Sequence, residues 1–244
     1  MAGTNKVARV LPTLNLDGVE VANRGGKYGE QYIIPTFPPR VALADEGSYF
    51  TVKNPASGTG IASIAAADAD DPLETYILMR NNDVAGGKSA YLDYLKLNCT
   101  VAGVGHTSSR YTMTIDNGVA RYTSGASMTA APTNVNMGSS MASIVTCIGG
   151  PLITTAATSA ARRVAHGLLR AAVINVVGDM HTFIFGGGPG AGFRSVAEGT
   201  TQMCSVLPAP PVIVGPQQSF LFSVWGASMT TGVAFEIDMG WFER

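Results

Sequence analysis

Three histidines and three cysteines supply most of the reactive chemistry in this 244-residue chain, and their spacing limits what they can do. His106, His166 and His181 stand far apart, and none has a second donor at metal-ligand spacing on one element. Asp179 lies two residues before His181, a separation that puts both on one face of a strand. The pair reads either as a fragment of a proton-transfer site or as a hydrogen-bonded surface pair, and the second reading is preferred because a lone pair specifies little. Cys99, Cys147 and Cys204 are odd in number, with no C-x-x-C among them. That pattern predicts three buried thiols in a reducing compartment, with neither a disulfide framework nor a zinc site.

Other motifs fall short of their chemistry in specific ways. Ala85-Gly86-Gly87-Lys88-Ser89 resembles a phosphate loop, but the position five residues before Gly87 holds Asn82 instead of glycine. Gly186-Gly187-Gly188-Pro189-Gly190-Ala191-Gly192 matches G-x-G-x-x-G in no register, and Pro189 removes one of the amides that would hold a phosphate. A flexible loop between strands is the expectation there. Gly125-Ala126-Ser127-Met128-Thr129 and Gly226-Ala227-Ser228-Met229-Thr230 lack the final glycine of a nucleophile elbow. Asp68, Asp70, Asp71 and Glu74 form an acidic cluster without EF-hand spacing, so a solvated turn is expected in preference to a calcium loop. Trp225, Trp241, Phe222 and Phe242 could line a sugar platform, or serve as core residues and interface anchors. The expectation is a chain that is not an enzyme, with no catalytic residues, no cofactor and no metal.

Composition narrows the partners. Charged residues make up 14% of the chain, against about 25% in an ordinary soluble domain. The net charge of −1 leaves no electrostatic footprint for nucleic acid or an anionic membrane. Two long runs, Tyr122 to Ala161 and Gly199 to Phe235, carry no charge at all. Polar residues and glycines punctuate the first, and prolines break the second, so neither reads as a spanning helix. Met1 to Lys6 has no apolar stretch of the kind that opens a secretory signal. Surface made of Ser, Thr, Gly, Ala and Met costs little to desolvate, so the composition fits a chain packed among partners. A lightly charged monomeric sandwich is the alternative.

The elements that would position these residues are strands. Residues 1–47 are interrupted by Pro12, Gly18, Gly25-Gly26, Gly29, Pro35 and Pro38-Pro39 and read as an extended N-terminal arm reaching another subunit. Tyr32, Ile33, Ile34 and Phe37 are its candidate contact residues, with Trp225 and Trp241 as further interface candidates. From Tyr49 the period is two. Strands are expected at 49–53, 60–66, 75–80, 91–101, 143–148, 162–176, 180–185, 203–207, 220–225 and 234–242. In the 91–101 strand, Tyr91, Asp93, Leu95, Leu97, Cys99 and Val101 are expected to share a face. Arg110–Ile115 and Val119–Thr123 around Asn117-Gly118 have the signature of a hairpin, while 156–172 is open to a helical reading. The whole predicts an all-β fold for residues 48–244, a single antiparallel β-sandwich, jelly roll or barrel.

Three segments carry a resemblance: Tyr91-Leu92-Asp93-Tyr94-Leu95-Lys96-Leu97, the run from Leu207-Pro208-Ala209-Pro210-Pro211 to Ser223-Val224-Trp225, and Phe235-Glu236-Ile237-Asp238-Met239-Gly240-Trp241-Phe242-Glu243-Arg244. Together, mainly over the second half of the chain, they resemble tailed-bacteriophage virion structural proteins. The resemblance implies a jelly-roll-like β-sandwich in a non-enzymatic capsid decoration (cement) protein or minor structural protein. It implies assembly in the host cytoplasm, location in the virion, a homotrimer, and the major capsid protein or other virion proteins as partners. The alternative is a tail or adhesin-like β domain that binds host surface carbohydrate through Trp225 or Trp241 with Asp238.

Overall fold

The computed structural model describes residues 39–53, 58–63, 70, 75–105, 108–117, 122–128, 132–154, 161–171, 175–187 and 202–244, with the short strands 13–14 and 20–21. The chain divides into two compact units, Met1–Ala42 and Leu43–Arg244. In the first, β1 (Thr13–Leu14) and β2 (Glu20–Val21) pair antiparallel. A helix, α1 (Pro39–Asp45), spans the boundary within the segment expected to be extended. Pro39 stands at its first position, where a missing N–H costs nothing. Gly47, at φ +74°, ends it: the Gly47 amide donates to Ala44 O (3.0 Å) and the Ser48 amide to Leu43 O (3.0 Å). That is a Schellman cap, and it needs the left-handed backbone that glycine adopts without strain.

The second unit is a β-sandwich. Its strands are β3 (Tyr49–Lys53), β4 (Ile61–Ala62), β5 (Ile77–Asn81), β6 (Ala90–Val101), β7 (Ser109–Asp116), β8 (Tyr122–Ser127), β9 (Thr133–Asn134), β10 (Val145–Thr154), β11 (Arg162–Arg170), β12 (Met180–Phe185), β13 (Cys204–Ala209), β14 (Ile213–Val214), β15 (Ser219–Trp225) and β16 (Ala234–Glu243). Sheet one runs β11-β7-β15-β5-β10-β8. Sheet two runs β13-β12-β6-β16-β3-β9, with β14 also on β6 and β4 on β16. The quartet β3-β16-β6-β12 lies in one sheet and β5-β15-β7-β11 in the other, so the chain crosses repeatedly between layers.

Alternation explains the core. In β15, Phe220, Phe222 and Val224 face the opposite sheet, as Phe235, Ile237, Met239 and Trp241 of β16 do from theirs. Rings interlock across the layers: Tyr111 meets Phe183 edge-on at 4.7 Å, Phe183 meets Phe222 at 5.4 Å, and Phe185 meets Phe220 at 5.8 Å. Each such buried ring stabilises the fold by about 1.5–3 kcal/mol. On the other face of sheet one, Leu78, Ile148 and Leu221 form a second buried cluster, so the centre of this sheet is apolar on both sides.

Three expectations are corrected. First, β7 and β8 are not a hairpin, since β7 pairs with β11 and β15 while β8 pairs with β10. An Asn-Gly step marks a reversal of the chain, but burial of apolar faces decides which strands pair. Second, the strand expected from residue 162 forms over Arg162–Arg170 against β7, so the helical alternative left open for 156–172 is the reading corrected over those residues; tertiary pairing overrides local propensity. Third, Tyr94 stands opposite Gly240 and Leu92 opposite Trp241, which leaves Asp93 as the extra residue of a bulge. The bulge turns Ala90 and Leu92 into the core beside Leu95, Leu97 and Cys99, and leaves Tyr91 and Tyr94 partly exposed.

Two of the outer strands, β11 and β13, are blunted. β11 exposes Arg162, Arg163 and His166. Among the described pairings, β13 is the one paired in parallel, on β12. Met180 N donates to Met203 O (2.8 Å) and Gly186 N to Ala209 O (3.1 Å), so odd-numbered residues of β13 face β12 and Pro208 faces the open edge.

Candidate functional surface

Among the described residues, one polar cluster is wholly buried. Arg170 closes β11, Asn175 and Asp179 lie in the turn before β12, and the parallel register sets His181 opposite Ser205. Arg170 Nη1 donates to both Asp179 oxygens, at 2.9 and 2.7 Å, and the two side chains are 3% and 0% exposed. Asp179 also accepts from the amides of Val176 and Met203, each at 2.8 Å. Asp179 and His181 are therefore not a surface pair: both are wholly buried, and the aspartate is held by Arg170.

His181 lies between two partners, with Nδ1 2.7 Å from Ser205 Oγ and Nε2 3.0 Å from Asn175 Nδ2. An amide nitrogen only donates, so Nε2 accepts and Nδ1 carries the ring proton toward Ser205. A nucleophilic serine needs the reverse, an imidazole that takes the hydroxyl proton. Ser205 is also 1% exposed. The cluster ties β11, β12 and β13 together and presents no reactive atom. Nearby Cys99 is pushed up to about 12 by burial, with a further rise from the Asp179 charge. Burial also raises Cys147. Both thiols are buried and free, while Cys204, expected to be buried, is partly exposed.

The Gly-rich loop before β6 is occupied by its own carboxylate. Asp83 accepts from the amides of Val84 (2.9 Å) and Lys88 (2.7 Å), and a Cβ on Gly87 would fall 2.4 Å from that carboxylate. Asn81 fixes the loop from beneath, donating to Lys88 O (2.8 Å) and Val214 O (3.0 Å). Amides that might have cradled a phosphate point instead at Asp83. Of the acidic cluster, Asp70 pairs with Arg163, and Asp68, Asp71 and Glu74 lie outside the described residues. Among the described residues no three metal-ligating side chains come together. His166 is exposed on β11, and His106 lies outside the described residues, as does the Gly-rich loop beyond Gly187.

The interface candidates separate. Tyr32, Ile33, Ile34 and Phe37 lie outside the described residues. Trp241 is a core residue: it is 0% exposed, stacks on Phe50 at 6.4 Å, and donates its indole N–H to Glu243 (3.0 Å). With no exposed surface it can anchor neither a partner nor a sugar, which corrects that expectation. Trp225 is half-buried at the end of β15, donates to Thr112 Oγ1 (3.1 Å), and lies under the Arg110 guanidinium, 5.5 Å from the ring centre.

What the sequence pattern did not bring out is the outward face of sheet two. Tyr91 and Phe242 stack at 4.9 Å with their planes 2° apart. Tyr94 reaches across Gly240 to donate to Asp238 Oδ1 (2.9 Å), and burial followed by the Asp238 charge raises its phenol. Lys53 and Lys96 stand opposite Asp238 on the flanking strands, and Asn98 donates to Glu236 (3.0 Å). This face combines half-buried aromatics with alternating charges. No family model, no curated protein and no solved structure matches the chain.

Proposed function

We propose that the chain is a non-enzymatic structural protein of a virus particle, a capsid decoration component that packs against shell proteins and copies of itself. The observation that carries this reading is the strand order. We read the quartets β3-β16-β6-β12 and β5-β15-β7-β11 as support for the connectivity of an eight-strand jelly roll, an architecture used by viral capsid and lectin domains. The charge-poor composition supports the same reading, because such surface is cheaply buried against neighbours. Mass spectrometry of purified particles from the source culture tests it. The chain should be present in many copies per particle and absent from washed, particle-free membranes. Its absence from particles overturns the proposal. A trimer by light scattering would further support the decoration role.

A second reading, carbohydrate recognition, rests on Tyr94, Asp238 and the Tyr91–Phe242 stack. Glycan-array binding that disappears in Tyr94→Ala would favour it. An array without signal would remove it.

A further inference from the structure

Sheet one carries a row of polar side chains on the face turned away from the other sheet. Asp116 of β7 pairs with Ser219 of β15, and Ser219 pairs in turn with Arg80 of β5. Cross-strand partners point to the same face, so register alone sets these three side by side. Leu78 and Leu221, two residues further along β5 and β15, share the face and wall the row on that side. At its β10 end Thr146 stands opposite Arg80, and its hydroxyl accepts from Asn82 Nδ2 (2.8 Å).

Three atoms of this row are buried and make no hydrogen bond: Arg80 Nε, Ser219 Oγ and Asp116 Oδ2. Asp116 interacts elsewhere as a residue, and Oδ2 is the oxygen left over. Both Asp116 and Ser219 are 0% exposed. Six such side-chain atoms occur among the described residues, and half of them fall in this one row, which points to a shared partner. A buried polar atom without a partner is costly, and native folds satisfy nearly all of them with protein or ordered water. The chemistry of the three is complementary. Arg80 Nε–H only donates, a carboxylate oxygen only accepts, and a hydroxyl does both.

We propose that this row is an internal hydration site, in which one ordered water accepts from Arg80 Nε–H, donates to Asp116 Oδ2 and bonds the Ser219 hydroxyl. Three partners are what a buried water ordinarily makes. Ser219 is the shortest of the three side chains, and the room for the water lies above its hydroxyl. The guanidinium opposes a metal cation there and the carboxylate opposes an anion, so the occupant is neutral and both donates and accepts. The bridge links the charges of β5 and β7 across β15, and solvent thereby ties together strands that the backbone ladder joins only pairwise. A water here needs neither a particle nor a partner chain, so the site stands apart from the function proposed above.

A crystal structure of the full-length protein, at a resolution that shows ordered water, tests the site directly. Water density should stand within about 2.7–3.2 Å of all three atoms. Direct hydrogen bonds among the three side chains, with no density between them, overturn the proposal. Ser219→Val gives a second test in solution. Its two methyl groups fill the space above position 219, and a β-branched residue suits a strand. Oxygen-17 magnetic relaxation dispersion counts the waters held for longer than the molecule takes to tumble. The variant should hold one fewer than the wild type. An unchanged count in a variant with a native circular dichroism spectrum also overturns the proposal. Should the variant not fold, the density in the wild type decides alone.

Discussion

The ring of Tyr94 occupies the space above Gly240: a Cβ at position 240 would stand 2.4 Å from the ring and 2.8 Å from the Tyr49 hydroxyl. The two tyrosines are themselves fixed, Tyr94 on Asp238 (2.9 Å) and Tyr49 on Asp93 (2.7 Å). Gly240→Ala should therefore cost about 1–3 kcal/mol by overpacking. It should also displace Tyr94 from Asp238. Urea unfolding gives the first quantity and the tyrosine fluorescence spectrum the second.

Asp179→Ala leaves Arg170 charged and 3% exposed in side-chain terms, and the expected loss is about 3–5 kcal/mol. Replacing the pair together, Arg170→Met with Asp179→Leu, should lose less than the sum of the single changes. A double-mutant cycle from denaturant titrations measures the coupling, and strict additivity would show that the two groups act independently.

The thiols give a pH prediction. Cys99 moves from 9.0 up to about 12 in the fold, so the folded chain holds this proton after the unfolded chain has released it. The associated stability is complete below pH 9 and is lost as pH rises toward 12. The urea midpoint should fall through that window, and Cys99→Ala should flatten the fall. At pH 8 a native thiol titration should label Cys204 first, with Cys99 and Cys147 reacting only after unfolding.

Asp83→Ala removes the acceptor for the Val84 and Lys88 amides. The expected cost is about 1–2 kcal/mol, with faster hydrogen exchange confined to residues 83–88. Added phosphate should not restore the loss, since the loop is shaped around a carboxylate that belongs to the chain.

Much of the sandwich was legible in the period-two pattern. The 180–185 strand was placed to the residue, and 91–101 and 234–242 to within one residue at an end. Face assignment in β6 failed because a bulge is a property of pairing: only Gly240 opposite Tyr94 and Trp241 opposite Leu92 reveal that Asp93 is extra. Trp241 was misjudged although its own strand signalled the answer. Phe235, Ile237, Met239 and Trp241 alternate as one core face, and a residue in that series belongs inside. Helix α1 was also signalled, by Pro39 at its start and Gly47 just past its end, but the prolines before it obscured the seven residues between. The Asp179–His181 pair was visible, yet its real partners were not. Arg170 lies on another strand, and Ser205 meets His181 only through a parallel pairing that local pattern does not encode.

Pro208 interrupts the row of amide donors along the open edge of β13. Its ring faces outward from β13, where an incoming strand would seek an N–H donor and find none. On the same side of the sandwich, at the edge of the other sheet, Arg162 and Arg163 of β11 put charge in the path of a similar approach. The β11 and β13 edges, which lie side by side, therefore both resist the addition of a further strand, and the sandwich is closed to ribbon growth along that flank.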